Sequence, residues 1–179
     1  MIPGSIARRY AKALFSLAVE KGRIEPWTDG LLALGRAVDA SPELREVLQN
    51  PAYPREDRAA VVARLAETLG LDAEPASLLQ LLGDRNRLGG LSAIVAAFRE
   101  LADTELGRVR AKVTSAVPLD DAAIHAIAEK LSAATQKKVL VERAVDPAIL
   151  GGVVAQVGSV VYDGSIRTQL EDLRRTLKL

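Results

Sequence analysis

Cysteine is absent from the 179 residues. That removes disulfides, thiolate metal sites and thiol nucleophiles together. Aromatic residues are scarce, at one Trp, three Tyr and two Phe, so a core must be built from Leu, Val, Ile and Ala. There is one histidine, His125, without a paired carboxylate at ligand spacing, and it reads as a surface or boundary residue rather than a metal ligand or general base. Charge of one sign is lacking too: 24 basic and 23 acidic side chains leave a formal +1. Nothing global therefore draws the chain to nucleic acid or to a membrane surface. No window approaches 18 uninterrupted apolar residues, so no span of a bilayer is expected. The N-terminal M-I-P-G-S-I-A-R-R-Y lacks the apolar stretch of a secretory signal, which leads to the expectation of a cytosolic protein, or one held at a membrane by something else.

What is present is helical periodicity over the first hundred residues. Ser5 is expected to cap a helix running to about Lys21, with Gly22 as its stop. At ~100° per residue, Ile6, Tyr10, Leu14 and Leu17 form one apolar stripe, which Ala7, Ala11, Ala18, Phe15 and Val19 widen. Arg8, Arg9, Lys12, Ser16 and Glu20 make the polar side. Such an arc exceeds the ~100° needed to dock on one core. The helix is therefore either central or keeps a second apolar face for a partner.

Further helical patterns cover Trp27 to Ala40, a short segment opened by Ser41-Pro42-Glu43 and stopped before Asn50-Pro51, and Pro54 to Leu69 closed by Gly70. Two more follow, one from Pro75 carrying Leu78, Leu79, Leu81 and Leu82, and one from Leu91 to Leu106 with Gly107 as its cap. Six helices on short connections predict an antiparallel bundle.

At Arg108 the period changes from 3.6 to 2. Arg108, Arg110, Lys112 and Thr114 alternate with Val109, Ala111, Val113 and Ser115, a strand with one basic and one apolar face. Asp120 or Asp121 is expected to cap a helix through about Thr135, and Lys137 to Val145 reads as a second strand. Strand, helix and strand in that order predict a right-handed crossover with parallel strands. From Val145 to Ser165 the sequence reads as a turn at Asp146-Pro147, a buried third strand over Val153 to Tyr162 with Gly158 as a bulge, and a second turn. This strand is expected to run antiparallel to the second. A last helix, Ser165 to Leu179, carries Ile166, Leu170, Leu173 and Leu177 at steps of four, three and four, with Arg174, Arg175 and Lys178 at its C-terminal end. The predicted fold class is α+β, mainly α: an N-terminal six-helix bundle over 1–105 and a small C-terminal α/β domain with a mixed sheet over 106–179.

No nucleophile, metal or cofactor constellation emerges. Gly151-Gly152 with Gly158 is not a phosphate-binding glycine pattern, because it does not open a helix. The basic strand face, with Lys137 and Lys138 nearby, is the one feature suited to nucleic acid. It lacks interleaved aromatics, and a nucleic-acid-binding module is kept as the alternative reading.

Several segments together resemble a known family. They are Ala7-Arg8-Arg9-Tyr10-Ala11-Lys12-Ala13-Leu14-Phe15, Asn50-Pro51, Asn86-Arg87-Leu88, Val113-Thr114-Ser115-Ala116, and above all Val145-Asp146-Pro147, Leu150-Gly151-Gly152, Gly158 and Asp163-Gly164-Ser165-Ile166. In these the whole chain resembles the delta subunit of F-type ATP synthases, the bacterial counterpart of the mitochondrial oligomycin-sensitivity-conferring protein. The resemblance implies a non-catalytic tie in the peripheral stalk, with no cofactor, no small-molecule substrate and no nucleic acid. Its N-terminal domain would grip the N-terminal helix of an α subunit, and its C-terminal domain would hold the ends of the membrane-anchored b subunits. Membrane association would come only through the complex, on the cytoplasmic face of the bacterial plasma membrane. A groove for the α-subunit helix is expected from Ala11, Leu14, Ala18, Leu78, Leu79 and Leu82, with Arg8 and Lys12 at its rim.

Overall fold

The computed structural model of the chain describes residues 4–50 and 52–177. Pro51, the last two residues and the side chains of Glu171, Asp172, Thr176 and Leu177 lie outside the described residues. The expectations placed on Pro51, Leu177 and Lys178 lie outside with them. The fold is α+β and mainly helical, with eight α-helices and one four-stranded mixed sheet among the described residues. The chain divides into two compact units between Ala102 and Asp103.

The first unit holds α1 (Gly4–Glu20), α2 (Ile24–Ala40), α3 (Pro42–Gln49), α4 (Arg55–Thr68), α5 (Ala73–Asp84) and most of α6 (Leu91–Glu105). Local signals fix most of their ends. Gly22, at φ +63°, closes α1: its N–H donates to the Val19 carbonyl at 3.1 Å and that of Arg23 to the Ala18 carbonyl at 2.8 Å. This pair of bonds satisfies carbonyls that the helix end leaves open. Ser41 caps α3 by accepting the Leu44 N–H at 3.1 Å. Ser5, in contrast, lies inside the first turn of α1 rather than at its cap. One core joins the helices, built on Trp27, Leu31 and Leu34 of α2, Leu79 and Leu82 of α5, and Ile94 and Phe98 of α6. Phe15 of α1 meets Phe98 edge-to-face at 5.9 Å, a favoured geometry for two rings.

The second unit is a sheet with one helix over it. β1 (Arg108–Ser115) pairs in parallel with β2 (Lys138–Val145) through α7 (Asp121–Thr135), as the crossover predicts. Asp120 is the cap of α7, accepting the Ala123 N–H at 2.8 Å. The alternation in β1 is real: Ala111, Val113 and Ser115 are buried and Lys112 is exposed. The Val153 to Tyr162 stretch differs from expectation. It is a hairpin, β3 (Gly152–Val157) and β4 (Val160–Ser165), turning at Gly158-Ser159 with Gly158 at φ +59°. Gly158 is therefore a turn residue and not a bulge, because a positive φ suits a two-residue reversal between paired strands. The strand order is β2-β1-β3-β4, so β3 hydrogen-bonds to β1 and not to β2. Neither is the stretch buried throughout: β4 is an edge strand, exposed from Val160 to Gly164. Ser165 caps α8 (Ile166–Leu177), accepting the Thr168 N–H at 3.3 Å.

Candidate functional site

The geometry that matters lies on one flank of the first unit and on one surface of the second. The buried stripe of α1 is Ala7, Ala11, Leu14 and Ala18, at steps of four, three and four. Small residues dominate it, so neighbouring helices can approach α1 closely. This stripe takes Ala11, Leu14 and Ala18 into the core at 0–3% exposure, and Leu79 and Leu82 of α5 are equally enclosed. Five of the eight residues expected to form a groove are therefore interior. Of the apolar six, Leu78 alone is partly accessible, packed against the core's edge.

Two contacts fix which flank of α1 faces α5. Lys21 pairs with Glu74 in the first turn of α5. At the other end Arg87, just beyond α5, donates to the Tyr10 hydroxyl at 2.8 Å and stands 5.8 Å from its ring centroid. The two helices thus run antiparallel. On the side of Tyr10 and Lys21, at ~100° per residue, lie Ile6, Ala13 and Leu17. The matching side of α5, marked by Glu74, carries Leu78 and Leu81. Leu17 and Leu81 are large apolar side chains left 40% and 38% exposed. Arg8 and Lys12 are exposed but lie about 160° round the helix from Tyr10 at this periodicity, on the side of Phe15. They do not border the α1–α5 flank.

What sequence reasoning missed was the second stripe, Ile6-Tyr10-Ala13-Leu17, which runs beside the buried one with the same 4-3-4 spacing. Its signal is the 4-3-4 spacing itself. The ion pair and the Tyr10 contact show, however, that this second stripe faces α5, while burial shows that the alanine-rich stripe is the interior one.

The open end of this flank is tied by carboxylates. Asp72 accepts from the Trp27 indole at 2.6 Å and from Arg23 Nε at 3.0 Å. These bonds, the indole foremost and Arg23 after it, hold the Asp72 carboxyl below its ordinary range. Glu74 is lowered mainly by its hydrogen bond from Lys21. Depressed carboxylates contribute stability above the pKa of the unfolded chain, and that contribution is lost as pH falls through the folded value. The helical unit is therefore expected to lose stability on acidification below the ordinary carboxylate range. Asp72→Asn should flatten that slope. Urea melts of both proteins at a series of acidic pH values check this; parallel slopes would mean that Asp72 carries none of the dependence.

The second unit has an open surface of its own. Ile166, Leu170 and Leu173 of α8 are all about half exposed, as are Val160 and Val161 of β4. No described side chain of α8 joins the sheet's core, which consists of Ala111, Val113, Leu131, Val139, Ala155 and Val157. Arg110, at the middle of the basic face of β1, is engaged internally. Arg110 donates to Asp103 at 2.6 Å and to Glu142 at 3.3 Å. A guanidinium shared by two carboxylates is not offered to phosphate, and the nucleic-acid alternative has no support. His125 is exposed on α7.

Among the described residues no group of three or more Asp, Glu or His side chains could hold a metal, and no helix is long and apolar enough to cross a membrane. A cleft of about 100 Å³ bounded by Val38, Asp39, Arg45 and Leu88 contains an arginine bonded to the carbonyl of Asp39 at 3.0 Å. These features define a class: a protein of two units, one helical and one a small mixed sheet, each with large apolar side chains left exposed.

Comparison with known proteins makes the class specific. Residues 6–177 match the family model described as ATP synthase delta (OSCP) subunit. The chain is 71% identical over 178 residues to the ATP synthase subunit delta of Anaeromyxobacter sp. (strain Fw109-5), covering 99% of each. It is 50% identical over 180 residues to that of Myxococcus xanthus (strain DK1622), again covering 99% of each. A chain of the Toxoplasma gondii mitochondrial ATP synthase hexamer shares the fold, with a TM-score of 0.78, 22% identity and 97% of each chain covered. The chain belongs to the ATP synthase delta (OSCP) family. It is a non-catalytic component of the peripheral stalk of an F-type ATP synthase.

Proposed function

We propose that this chain ties the catalytic head of the enzyme to its membrane-anchored b subunits and resists rotor torque during proton-driven ATP synthesis. In this reading residues 1–105 form a six-helix bundle that grips the N-terminal helix of one α subunit. Residues 106–179 form the domain that holds the b subunits. The protein would be peripheral, on the cytoplasmic face of the bacterial plasma membrane, attached through the complex alone.

One observation carries the first contact: Leu17 and Leu81 stand exposed on the flank that α1 and α5 share, between the Lys21–Glu74 pair and the Arg87–Tyr10 contact. An amphipathic helix fills such a groove with apolar residues at i, i+3, i+4 and i+7. Tyr10, Ala13 and Leu17 form one wall and Leu78 and Leu81 the other, while the buried Ala11, Leu14, Ala18, Leu79 and Leu82 support them from beneath. The b-subunit contact rests on the exposed stripe of α8 with Val160 and Val161 of β4, flanked by Arg167, Arg174 and Arg175.

Calorimetric titration of the full chain with a synthetic peptide of the α-subunit N-terminal helix tests the groove. Leu17→Asp and Leu81→Asp should each weaken binding by about 1.5–3 kcal/mol, the cost of losing one buried leucine. Lys12→Glu, on the opposite flank, should change it by about 0.5 kcal/mol or less. Equal effects at Lys12 and Leu81 would place the peptide elsewhere.

A further inference from the structure

Arg58 of α4 is a charged side chain only 3% exposed, and its Nε has no hydrogen-bond partner among the described residues. Burying a guanidinium with part of its donor set unmet is unfavourable, and an apolar side chain of similar length would fill the same volume at lower cost. Arg58 therefore contributes geometry rather than stability. Its Nη2 donates to Oδ1 of Asn86 at 2.6 Å.

Asn86 is the residue that ends α5. It adopts φ +53°; its N–H donates to the Gly83 carbonyl at 3.1 Å and that of Arg87 to the Leu82 carbonyl at 2.7 Å. These bonds form the left-handed closing turn of a helix. The next residue, Arg87, donates to Tyr10. Arg55, one helical turn before Arg58, donates to the Asp84 carbonyl at 2.6 Å and holds the same helix end. A continuous polar chain thus runs from the interior of α4, through the closing turn of α5, to a side chain on the α1–α5 flank.

We propose that Arg58 is a positioning residue for the partner helix, fixing the Asn86–Arg87 turn so that Arg87 holds the Tyr10 ring as a wall of the groove. The inference rests on the groove reading above. Because Arg58 is enclosed, it cannot touch the partner itself, and any effect on binding must pass through Asn86 and Arg87. The conformation of Asn86 is uncommon for a residue with a side chain, so losing its anchor frees the turn and the direction in which Arg87 leaves it.

The experiment uses the full chain and the α-subunit N-terminal peptide. Arg58→Met should retain a thermal midpoint equal to or above that of the parent, yet bind the peptide at least tenfold more weakly. Arg58→Lys, which can still donate to Asn86, should recover affinity to within about threefold of the parent. In a Tyr10→Phe background, where the Arg87 bond is already lost, Arg58→Met should weaken binding by less than twofold. Asn86→Gly still permits the positive φ but removes the acceptor that anchors the turn, so it should reproduce the loss even where Arg58→Met fails to fold. Parent-like affinity in folded Arg58→Met, or in Asn86→Gly, overturns the proposal, as does an undiminished effect in the Tyr10→Phe background. If the parent chain does not bind the peptide, the groove reading itself fails. The NMR resonances of the Tyr10 ring then decide the link separately: they should shift in Arg58→Met, and an unchanged Tyr10 spectrum refutes it.

Discussion

Replacing Ala11 by aspartate is expected to abolish the cooperative unfolding transition of the helical unit at neutral pH. Ala11 has no exposed surface and lies in the stripe of small residues on which α1 approaches its neighbours. A carboxylate there would be ionised without solvent or partner, at an effective cost of several kcal/mol after relaxation. Three added heavy atoms in a close helix contact cost about 1–3 kcal/mol more. The sum approaches the total stability of a domain, about 5–15 kcal/mol. Lys12→Asp, one residue along and exposed, should stay within about 0.5 kcal/mol of the parent. Fluorescence is a suitable probe, because the only tryptophan, Trp27, is enclosed in this core. A Trp27 transition in Ala11→Asp within a few degrees of the parent would show that the inward stripe of α1 has been assigned to the wrong face. The experiment also separates core from surface: a binding defect at Ala11 would report unfolding, whereas one at Leu81 in a folded variant reports the groove.

Gly152→Ala should be as damaging to the sheet unit. Gly152 adopts φ +79°, and a Cβ added there would lie 2.3 Å from the Gly164 carbonyl oxygen and 3.0 Å from the Ser165 Cα. Both obstacles are backbone of the strand it pairs with, Gly152 standing opposite Ser165, so no rotamer change relieves them. Backbone strain alone costs about 1–3 kcal/mol, and relieving the overlap means separating β3 from β4. A unit of this size buries little surface to offset that; its core rests on six small or medium side chains. The expected result is loss of the far-ultraviolet dichroism contributed by the sheet unit. The Trp27 fluorescence transition should stay at its parental position. Gly158→Ala is the control: its φ is also positive, but nothing lies within 4 Å of the added carbon, so about 1–2 kcal/mol of left-handed strain is the whole cost. Should the Trp27 transition move with Gly152→Ala, the two units would unfold as one and the proposed separate domains would be wrong.

The sequence by itself determined the features whose causes are local. Ser41 and Asp120 announce helix starts because a short oxygen-bearing side chain can accept an amide that the first turn leaves open. Gly22 announces a stop because only a residue without Cβ reverses there without strain. Alternation from Arg108 to Ser115 specified a strand with one buried face, and the order strand, helix, strand specified its parallel pairing with β2. The motifs around Gly151-Gly152 and Asp163-Gly164-Ser165 carried the family.

Tertiary structure decided what depends on a neighbour distant in sequence. Val153 to Tyr162 is mostly apolar but broken by Gln156, Gly158 and Ser159. Gly158-Ser159 suits a bulge in one long strand or the turn of a hairpin, and pairing of β3 with β1 on one side and β4 on the other selects the hairpin. Likewise α1 carries two apolar stripes with identical spacing, and periodicity cannot rank them. The alanine-rich stripe turns inward because the other helices come close enough to require small side chains. Tyr10 and Leu17 instead line the flank facing α5, because Glu74 and Arg87, more than fifty residues away, hold α5 there, leaving Tyr10 partly buried and Leu17 exposed.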